Sequence, residues 1–311
     1  MVSLRSVDSI FQAVRHIVTH ALPNDRVHSL EVLEGGATNW NVLVRFERCD
    51  QLLVLRQHLR GTEVCRKEVH LLQVLQNVIP VRELVKSDVT GDEAGFPYLL
   101  YRFLPGQTFR QIRAHGSPRD MANAAHAIGR CLAALQRRDV SFFGTSGLDR
   151  RYKFNERNLN CPVLRERIGA EDLSLLQGTY LKWSQTFHEL ANADSLVHGD
   201  FNHRNIVLNK RSDHWEVAGI LDWELASIGS SLWDAARFMC YEKPDSLHWE
   251  SHFLRGFRAT STSFPDAWQE LARVMNTLSA AGSLASESVQ ERFVPELKRL
   301  VHCGLRGQRI T

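Results

Sequence analysis

Asp200, Asn205 and Asp222 are the residues whose types and spacing point most directly to chemistry in this chain. Asp200 and Asn205 occupy a polar loop that runs into an apolar segment at 206–208, and Asp222 follows a second apolar segment at 219–221. A polar turn separates the two segments. The pattern predicts two strands joined by a hairpin, which brings Asp222 towards the other two side chains.

These three side chains have the chemistry that phosphoryl transfer requires. Asp200 is a candidate to accept the proton of a substrate hydroxyl. Asn205 and Asp222 offer the hard oxygen ligands that Mg²⁺ takes together with substrate phosphates. The alternative is a hairpin in which Asp and Asn only form turns. The second Asp behind a hydrophobic strand favours the catalytic interpretation.

The same residues carry a family resemblance. His198, Asp200 and Asn205 fit the pattern H-x-D-x-x-x-x-N, and the sequence Asp-Trp-Glu follows at 222–224. The chain resembles the aminoglycoside phosphotransferase family, whose members are antibiotic and small-molecule kinases and form a branch of the protein-kinase-like fold. A protein kinase is disfavoured because Trp and Glu stand where Phe and Gly follow the metal-binding Asp.

The resemblance implies an α+β, bilobed protein-kinase-like fold. The N-lobe, at 1–103, would bind nucleotide with a five-stranded antiparallel sheet plus a helix, and the mainly helical C-lobe, at 104–311, would carry the catalytic hairpin. Residue periodicity predicts N-lobe strands at 28–33, 41–46, 51–57, 81–86 and 98–103 and helices at 7–22 and 62–75. It predicts C-lobe helices at 119–138, 173–192, 233–241, 247–257, 266–281 and 288–301.

A glycine-containing turn between the first two predicted strands is a candidate nucleotide-covering loop. Glycines let backbone N–H groups approach phosphates, although an ordinary hairpin turn would look the same. The family carries a similar turn, so the resemblance assigns this role to residues at 35–39, namely Gly35, Gly36, Thr38 and Asn39. No GxxxxGK[ST] sequence is present, which excludes a P-loop NTPase.

The resemblance also implies the residues that hold the nucleotide. Arg56 ends the third strand, where kinase-like folds usually place a Lys that binds the phosphates. Its helix partner would be Glu68, with Glu63 one helical turn away as the alternative. An adenine ring would bond to the backbone of Arg102 and Leu104 in the interlobe hinge.

Further roles follow from the same resemblance. His198 is expected to hold the catalytic loop by hydrogen bonding rather than to act as the base. Asp234 is expected to brace that loop through backbone N–H groups, with a helix-dipole contact as the alternative. The substrate pocket should lie between the C-lobe helices and the catalytic loop. Its candidate acidic contacts, each with solvated surface as the alternative, are Glu224, Glu242, Asp245 and Glu270.

Composition limits the class of protein. The 311 residues are enough for two domains, and a net charge of +3 is too small to imply nucleic acid or a membrane surface. Six cysteines without a Cys-x-x-Cys pair argue against a disulfide framework or zinc site, and they fit a cytoplasmic protein. His16 and His20 stand at helical spacing, but without a third ligand they predict a solvated helix face.

The sequence therefore predicts a phosphotransferase that uses ATP, or GTP, with Mg²⁺ and has an alcohol group as acceptor. The resemblance favours an antibiotic as the acceptor, which would make the protein a resistance or self-protection kinase. A metabolic kinase of a sugar, homoserine or choline-like alcohol is the alternative, because the motifs describe the nucleotide site only. A nucleotide-binding pseudokinase is disfavoured by the intact Asp200, Asn205 and Asp222. We expect a monomer or homodimer.

Overall fold

The computed structural model describes residues 7–33, 39–136, 156–239, 249–258, 267–287 and 289–308. Gly35, Gly36, Thr38, Glu242 and Asp245 lie outside the described residues. The chain forms two compact units. The described part of the first contains residues 7–33, 39–106 and 218–224, and the second contains the other described residues.

The grouping of 218–224 differs from the expected division at residue 103. This segment includes Asp222 and Glu224, which the division by sequence assigned to the second lobe. Ile220 donates its backbone N–H to the carbonyl of Pro80 at 3.1 Å, within the first unit. The grouping therefore rests partly on a main-chain bond between distant parts of the sequence, which no local pattern reveals.

The first unit is an antiparallel sheet with two helices. Its described elements are α1 (Val7–Ala21), β1 (Val27–Val32), β2 (Trp40–Phe46), β3 (Leu52–Gln57), α2 (Thr62–Leu75), β4 (Leu84–Asp88) and β5 (Tyr98–Arg102). Five strands pair in the order β1-β2-β3-β5-β4, all antiparallel. This confirms the predicted five-stranded sheet.

The core of the first unit forms between α1 and this sheet. Ile10, Val14, Ile17 and Val18 recur at helical spacing, and all four are buried. They belong to the same hydrophobic cluster as alternating residues of β2 and β3. The central strand β3 is buried over almost its full length, including Arg56 at its end. A charged residue in such a position requires ionic partners.

The second unit is mainly helical. Its described elements are β6 (Gln107–Thr108), α3 (Phe109–His115), α4 (Pro118–Gln136), α5 (Glu156–Leu159), α6 (Pro162–Ala191), β7 (Ser195–Val197), β8 (Ile206–Arg211), β9 (His214–Ile220), β10 (Ser227–Gly229), α7 (Leu232–Met239), α8 (Trp249–Arg258), α9 (Trp268–Leu284) and α10 (Val294–Leu305). Strands β8 and β9 are the predicted hairpin, and β6 pairs with β8. The last residues of β9 belong to the first unit.

Two helices begin elsewhere than the periodicity predicts. α6 begins at Pro162 rather than at 173, and it is interrupted at Gly169, whose φ of 82° is left-handed. The interruption breaks the apolar spacing, so only the later part was recognised. α10 begins at Val294 rather than at 288, after a 3-10 turn at Glu291–Phe293.

The helices of the second unit pack in two places, one a hydrophobic core and the other a close contact between α4 and α8. Apolar residues of α6, α7, α9 and α10 form one hydrophobic core. α4 and α8 pack closely through Gly129 and Gly256, where a Cβ on Gly129 would overlap the carbonyl oxygen of Phe253 and one on Gly256 that of His126. Among the helices of the described residues, none combines the length and apolar character needed to cross a membrane.

Candidate functional site

A loop of the second unit, residues 198–205, connects β7 to β8 and carries Asp200. Its second residue is Gly199, whose φ of 88° lies in the left-handed region that glycine adopts without steric cost. Asp234, in the first turn of α7 and almost fully buried, accepts the backbone N–H of His198 at 2.7 Å and that of Gly199 at 2.9 Å. The bracing contact expected of Asp234 is therefore present.

Asp200 is held from several sides. Its backbone N–H donates to Nδ1 of His198 at 3.1 Å, and Nδ2 of Asn205 donates both to its backbone carbonyl and to its carboxylate Oδ2, each at 3.0 Å. Nε of Arg237 lies 3.3 Å from the other carboxylate oxygen, Oδ1. The Asp200 side chain is 29% exposed, so a fixed carboxylate reaches the surface of the unit.

His203 is a second anchor of this loop that sequence reasoning missed. Its Nε2 lies 2.7 Å from the carbonyl oxygen of Phe238, and its Nδ1 lies 2.7 Å from Nη1 of Arg113. Burial lowers the pKa of His203 to about 3, and the charge of Arg113 adds to this effect. The neutral ring, with a proton on Nε2, matches both contacts. Its edge-to-face packing against Phe109 and Trp249 could not be read from local sequence.

The first unit contains a buried ionic cluster centred on Arg56. Nη2 of Arg56 lies 2.6 Å from Oδ1 of Asp222 and 2.9 Å from Oε2 of Glu224, and its Nε lies 3.8 Å from Oε2 of Glu68. The Arg56 side chain is only 6% exposed. One guanidinium thus binds three carboxylates, whereas the sequence predicted only the pair with Glu68.

Glu68 is the helix partner of Arg56 in the structure, since the alternative, Glu63, is exposed and pairs with Arg66. The Glu68 carboxylate also lies 3.0 Å from Nε2 of His58 and accepts the Tyr101 hydroxyl at 3.3 Å. Burial opposes its ionisation, but the charge of Arg56 and the contact with His58 outweigh burial and lower its pKa to about 2. Glu68 is therefore ionised at neutral pH.

Asp222 has an unusual backbone conformation, with a φ of 67°. A non-glycine residue in this region carries a conformational cost, and such residues concentrate at functional sites. Burial raises the pKa of Asp222 while Arg56 opposes the rise, and the nearby charges of Glu224 and Glu68 add to it. Its side chain is 32% exposed, so the carboxylate can still accept a ligand.

Glu224 differs from its expected place as an acidic substrate contact. It is 7% exposed, and its Oε2 accepts both Arg56 and Nδ2 of Asn39, the latter at 2.6 Å. Its Oε1 lies 3.2 Å from Nε of Arg60. Asn39 also accepts the backbone N–H of Leu59 at 3.0 Å. Both residues therefore join the ionic cluster, and we assign Glu224 no substrate contact.

The family model described as a phosphotransferase enzyme family, APH, matches residues 29–273. The chain belongs to this phosphotransferase family. The chain has a kinase-like fold that is similar to those of solved aminoglycoside and macrolide phosphotransferases. A GDP and kanamycin complex of APH(2")-IIia has a TM-score of 0.71 at 16% identity, with 96% of this chain and 99% of that chain covered. The macrolide 2'-phosphotransferase MphH from Brachybacterium faecium has a TM-score of 0.62 at 14% identity, with 93% and 98% covered.

Two curated relatives are longer proteins. Acyl-CoA dehydrogenase family member 10 of Mus musculus is 23% identical over 233 residues, which are 72% of this chain and 21% of that protein. The probable acyl-CoA dehydrogenase IBR3 of Arabidopsis thaliana is 24% identical over 230 residues, 65% of this chain and 26% of that protein. The phosphotransferase chain thus spans about a fifth to a quarter of the length of these relatives.

The expected adenine contacts of this phosphotransferase stay predictions, and the structure constrains one of them. The backbone N–H of Arg102 donates to the carbonyl of Glu83 at 2.9 Å within the sheet, so this N–H is already used. The side chain of Leu104 lies against Gly219, where a Cβ would meet Leu104 Cδ2 at 2.5 Å. Gly219 therefore leaves room for Leu104.

The two residues predicted to bind Mg²⁺ belong to different units, Asp222 to the first and Asn205 to the second, and each by itself offers an oxygen donor. Asp222 offers a partly exposed carboxylate, and the Nδ2 of Asn205 is bonded to Asp200, which fixes the orientation of its amide and hence of Oδ1. Both are hard oxygen donors of the kind that Mg²⁺ combines with phosphate oxygens. Asp222 Oδ1 also accepts a hydrogen bond from Nη2 of Arg56 at 2.6 Å. A cation bound to this carboxylate would therefore either replace the guanidinium or bind beside it.

Two remaining sets of residues lie outside these clusters. Glu270 on α9 pairs with Lys182 at 2.9 Å and lines a cavity of about 290 Å³ in the second unit. Near α1, the ligand atoms of His16, His20 and Glu93 lie within 4.8 Å of one another. Glu93 is thus a third potential metal ligand beside the two histidines, which the sequence did not predict. Its carboxylate is, however, already hydrogen-bonded to Lys86 and Tyr98.

Proposed function

We propose that this phosphotransferase moves the γ-phosphate of ATP, with GTP as the alternative donor, to a hydroxyl group of a small molecule. The observation that carries the proposal is the Asp200 carboxylate, which is fixed by Asn205 and Arg237 on a loop braced by Asp234. A fixed, partly exposed carboxylate is what a kinase needs to accept the proton of an attacking hydroxyl. Membership of the phosphotransferase family supports the same reaction.

Each cluster has a role in this proposal. As the acceptor oxygen bonds to the γ-phosphorus, the bond from that phosphorus to the departing ADP breaks, and the acceptor proton passes to Asp200. Arg56, oriented by Glu68, positions the donor phosphates, and the turn with Gly35, Gly36 and Thr38 covers them. Asp222 and Asn205 supply ligands for Mg²⁺, which when bound neutralises phosphate charge. Positioning and charge neutralisation then account for most of the rate enhancement.

The acceptor is the part of the reaction that the family does not fix. Antibiotics are named for the solved relatives, but at 14% and 16% identity that likeness shows the fold alone. The curated relatives carry acyl-CoA dehydrogenase names instead. We therefore propose a small metabolic alcohol as the acceptor, and an antibiotic is the competing class.

The test measures ADP release in the presence of acceptor panels that contain aminoglycosides, macrolides and simple alcohols. Asp200→Asn should lower kcat by about a hundredfold to ten-thousandfold, because it removes the proton acceptor, while ATP·Mg²⁺ still stabilises the protein against heating. The matched control is Asp213→Ala, which changes an exposed Asp in the turn of the same hairpin and should leave kcat unchanged. Wild-type turnover by Asp200→Asn would show that the role assigned to Asp200 is wrong.

The same experiment separates a kinase from a regulatory pseudokinase. A pseudokinase would bind ATP·Mg²⁺ but release no ADP with any acceptor, and Asp200→Asn would then change neither property. Phosphorylated product, identified by phosphorus NMR, supports the kinase.

A further inference from the structure

Two exposed histidines of α1 lie beside a glutamate from the turn between β4 and β5. His16 and His20 are one helical turn apart, and the centroids of their rings are separated by 4.2 Å. The potential ligand atoms of these two residues and of Glu93 all lie within 4.8 Å of one another. All three residues belong to the first unit, and none takes part in the proposed phosphotransfer.

The His20 ring has the orientation that metal-binding histidines adopt. Its Nδ1 lies 2.8 Å from the backbone carbonyl oxygen of His16. Because a carbonyl oxygen can only accept, Nδ1 carries the proton of the neutral ring, and Nε2 keeps its lone pair. Histidines that bind metals usually donate their other ring N–H to such an acceptor, which fixes both the tautomer and the direction of the lone pair. Nε2 of His20 is therefore the atom that it offers to a metal ion.

The Glu93 carboxylate is ionised and held by its neighbours. Lys86 donates to its Oε1 at 2.7 Å, and the Tyr98 hydroxyl donates to its Oε2. Partial burial opposes the ionisation of Glu93, but these two hydrogen bonds outweigh burial and lower its pKa. An ionised carboxylate has about four lone-pair sites, so two hydrogen bonds leave it able to bind a metal ion. Carboxylates that bind metals are themselves commonly hydrogen-bonded to neighbouring groups.

The elements that carry these side chains pack into one core. Ile17 of α1 and Phe96 belong to the same hydrophobic cluster, and Ala94 packs against it. The Asp88 carboxylate also accepts three backbone N–H groups of the turn, at 90, 91 and 93. Packing and hydrogen bonds thus hold the glutamate in place relative to the two histidines, which is the support that a metal site needs.

Two imidazoles and one carboxylate form a ligand set typical of Zn²⁺ and similar transition metals. Such sites have three protein ligands and a water in the fourth position. Mg²⁺ takes oxygen ligands instead, so the cation of the proposed reaction should not compete for the histidines. Ligand atoms around a tetrahedral Zn²⁺ are about 3.3 Å apart, so atoms that lie within 4.8 Å of one another need to move by about 1.5 Å or less. Both histidine side chains are exposed and can rotate by this amount.

We infer that His16, His20 and Glu93 form a binding site for Zn²⁺ or a similar transition-metal ion, which links α1 to the turn between β4 and β5. The inference goes beyond the proposed phosphotransfer and does not depend on it. Because the ion binds the folded chain, it should stabilise the protein increasingly as its concentration rises. The Lys86 ammonium, 2.7 Å from Oε1 of Glu93, opposes the binding of a second cation at the same carboxylate.

The test is a calorimetric titration of the full chain, without an affinity tag, with Zn²⁺ in excess Mg²⁺. The chain has 14 histidines, so variants must locate the site. His16→Gln, His20→Gln and Glu93→Gln should each weaken Zn²⁺ binding by about tenfold or more. His28→Gln, which changes an exposed histidine of β1 in the same unit, is the matched control and should leave the affinity unchanged. Lys86→Met removes the opposing charge and should tighten binding severalfold.

Hydrogen exchange separates a site with three ligands from a histidine pair that binds Zn²⁺ alone. With all three ligands, Zn²⁺ should slow amide exchange in α1 and also in the turn at 89–97. An ion held only by the two histidines would slow exchange in α1 alone. Zn²⁺ should also raise the thermal unfolding midpoint of wild type, and it should do so much less in Glu93→Gln.

Binding that weakens in all three ligand variants, together with slower exchange in both elements, supports the inference. No Zn²⁺ binding to wild type, equal binding by wild type and Glu93→Gln, or slower exchange confined to α1 overturns it. If circular dichroism shows that Glu93→Gln does not fold, Lys86→Met decides the question, because tighter binding requires the ion to lie beside Glu93 and an unchanged affinity excludes this. Each of these outcomes leaves the role proposed for Asp200 untouched.

Discussion

Nη2 of Arg56 lies 2.6 Å from Oδ1 of Asp222, and the same nitrogen lies 2.9 Å from Glu224. Arg56, near the end of β3, therefore forms an ion pair with the segment that carries Asp222, the proposed metal ligand. With Glu68 also at 3.8 Å, Arg56 is the common partner of three acidic side chains. Arg56, which positions the donor phosphates in the proposed reaction, therefore also stabilises the first unit through its ion pairs.

Replacing Arg56 should therefore destabilise the protein even without nucleotide. Arg56→Met leaves three buried or half-buried carboxylates without their shared partner, and we expect a loss of about 3 kcal/mol or more in the free energy of unfolding. Arg56→Lys keeps the charge but not the planar fork, so its loss should be smaller. Urea unfolding measures both. Equal stability of Arg56→Met and wild type would contradict the structural role of this cluster.

Asp222→Asn addresses the metal. Asn keeps the size of the side chain and removes the charge that attracts both Arg56 and a divalent cation. We expect the Mg²⁺ concentration for half-maximal ADP release to rise by about tenfold or more, because the remaining ligand is a neutral amide. A Mg²⁺ titration at saturating ATP measures this, with Asp213→Ala as the control. An unchanged Mg²⁺ requirement would mean that Asp222 is not a metal ligand.

The depressed pKa of Glu68 predicts how stability depends on acidity. A folded-state pKa of about 2, against 4.5 for the free side chain, means that the unfolded chain binds the proton first. The stabilisation by Glu68 is therefore complete above its unfolded pKa and is lost as the pH falls towards 2. At about 1.36 kcal/mol per pKa unit, roughly 0.8 kcal/mol disappears between about pH 6 and pH 4.

Glu68→Gln isolates this contribution, since Gln cannot titrate. The difference in unfolding free energy between wild type and Glu68→Gln should shrink by that amount over the same pH interval, as measured by urea titrations at each pH. A difference that stays constant or grows on acidification would show that Glu68 is not held ionised by Arg56 and His58.

Local patterns predicted the elements that repeat regularly and missed those set by distant contacts. The apolar spacing of 62–75 predicts α2 at the bounds the structure shows. Asp200 and Asn205 are candidates from their residue types and spacing together with the apolar strand and the second Asp that follow them. α3 was missed because it is short, although Thr108 and Gln111 form a capping box that could have marked its start. The pairing of β7 with β10 joins residues distant in sequence, so neither segment showed a pattern of its own.

The site shows the same division. The bracing contact of Asp234 follows from the family resemblance, whereas the contact of Arg237 with Asp200 was not predicted, because an Arg on an amphipathic helix reads as solvated surface. Glu224 was predicted as a substrate contact because the local sequence shows its acidic side chain but not the distant partners that bury it. Its burial depends on Arg56 and Asn39, which come from β3 and the residue before β2, and no local rule places them beside a residue in a 3-10 turn.

Gly129 and Gly178 offer opposite predictions for the same substitution in two helices. In α4, a Cβ at Gly129 would overlap the carbonyl of Phe253 in α8, so Gly129→Ala must separate two packed helices. We expect it to lower the unfolding free energy by about 1–3 kcal/mol, the usual cost of overpacking. In α6, Gly178 is exposed with open space around a Cβ, so Gly178→Ala should raise the unfolding free energy by about 0.5–1 kcal/mol through helix propensity. Urea unfolding of both variants checks the prediction, and stabilisation by Gly129→Ala would show that α4 and α8 do not pack at this distance in solution.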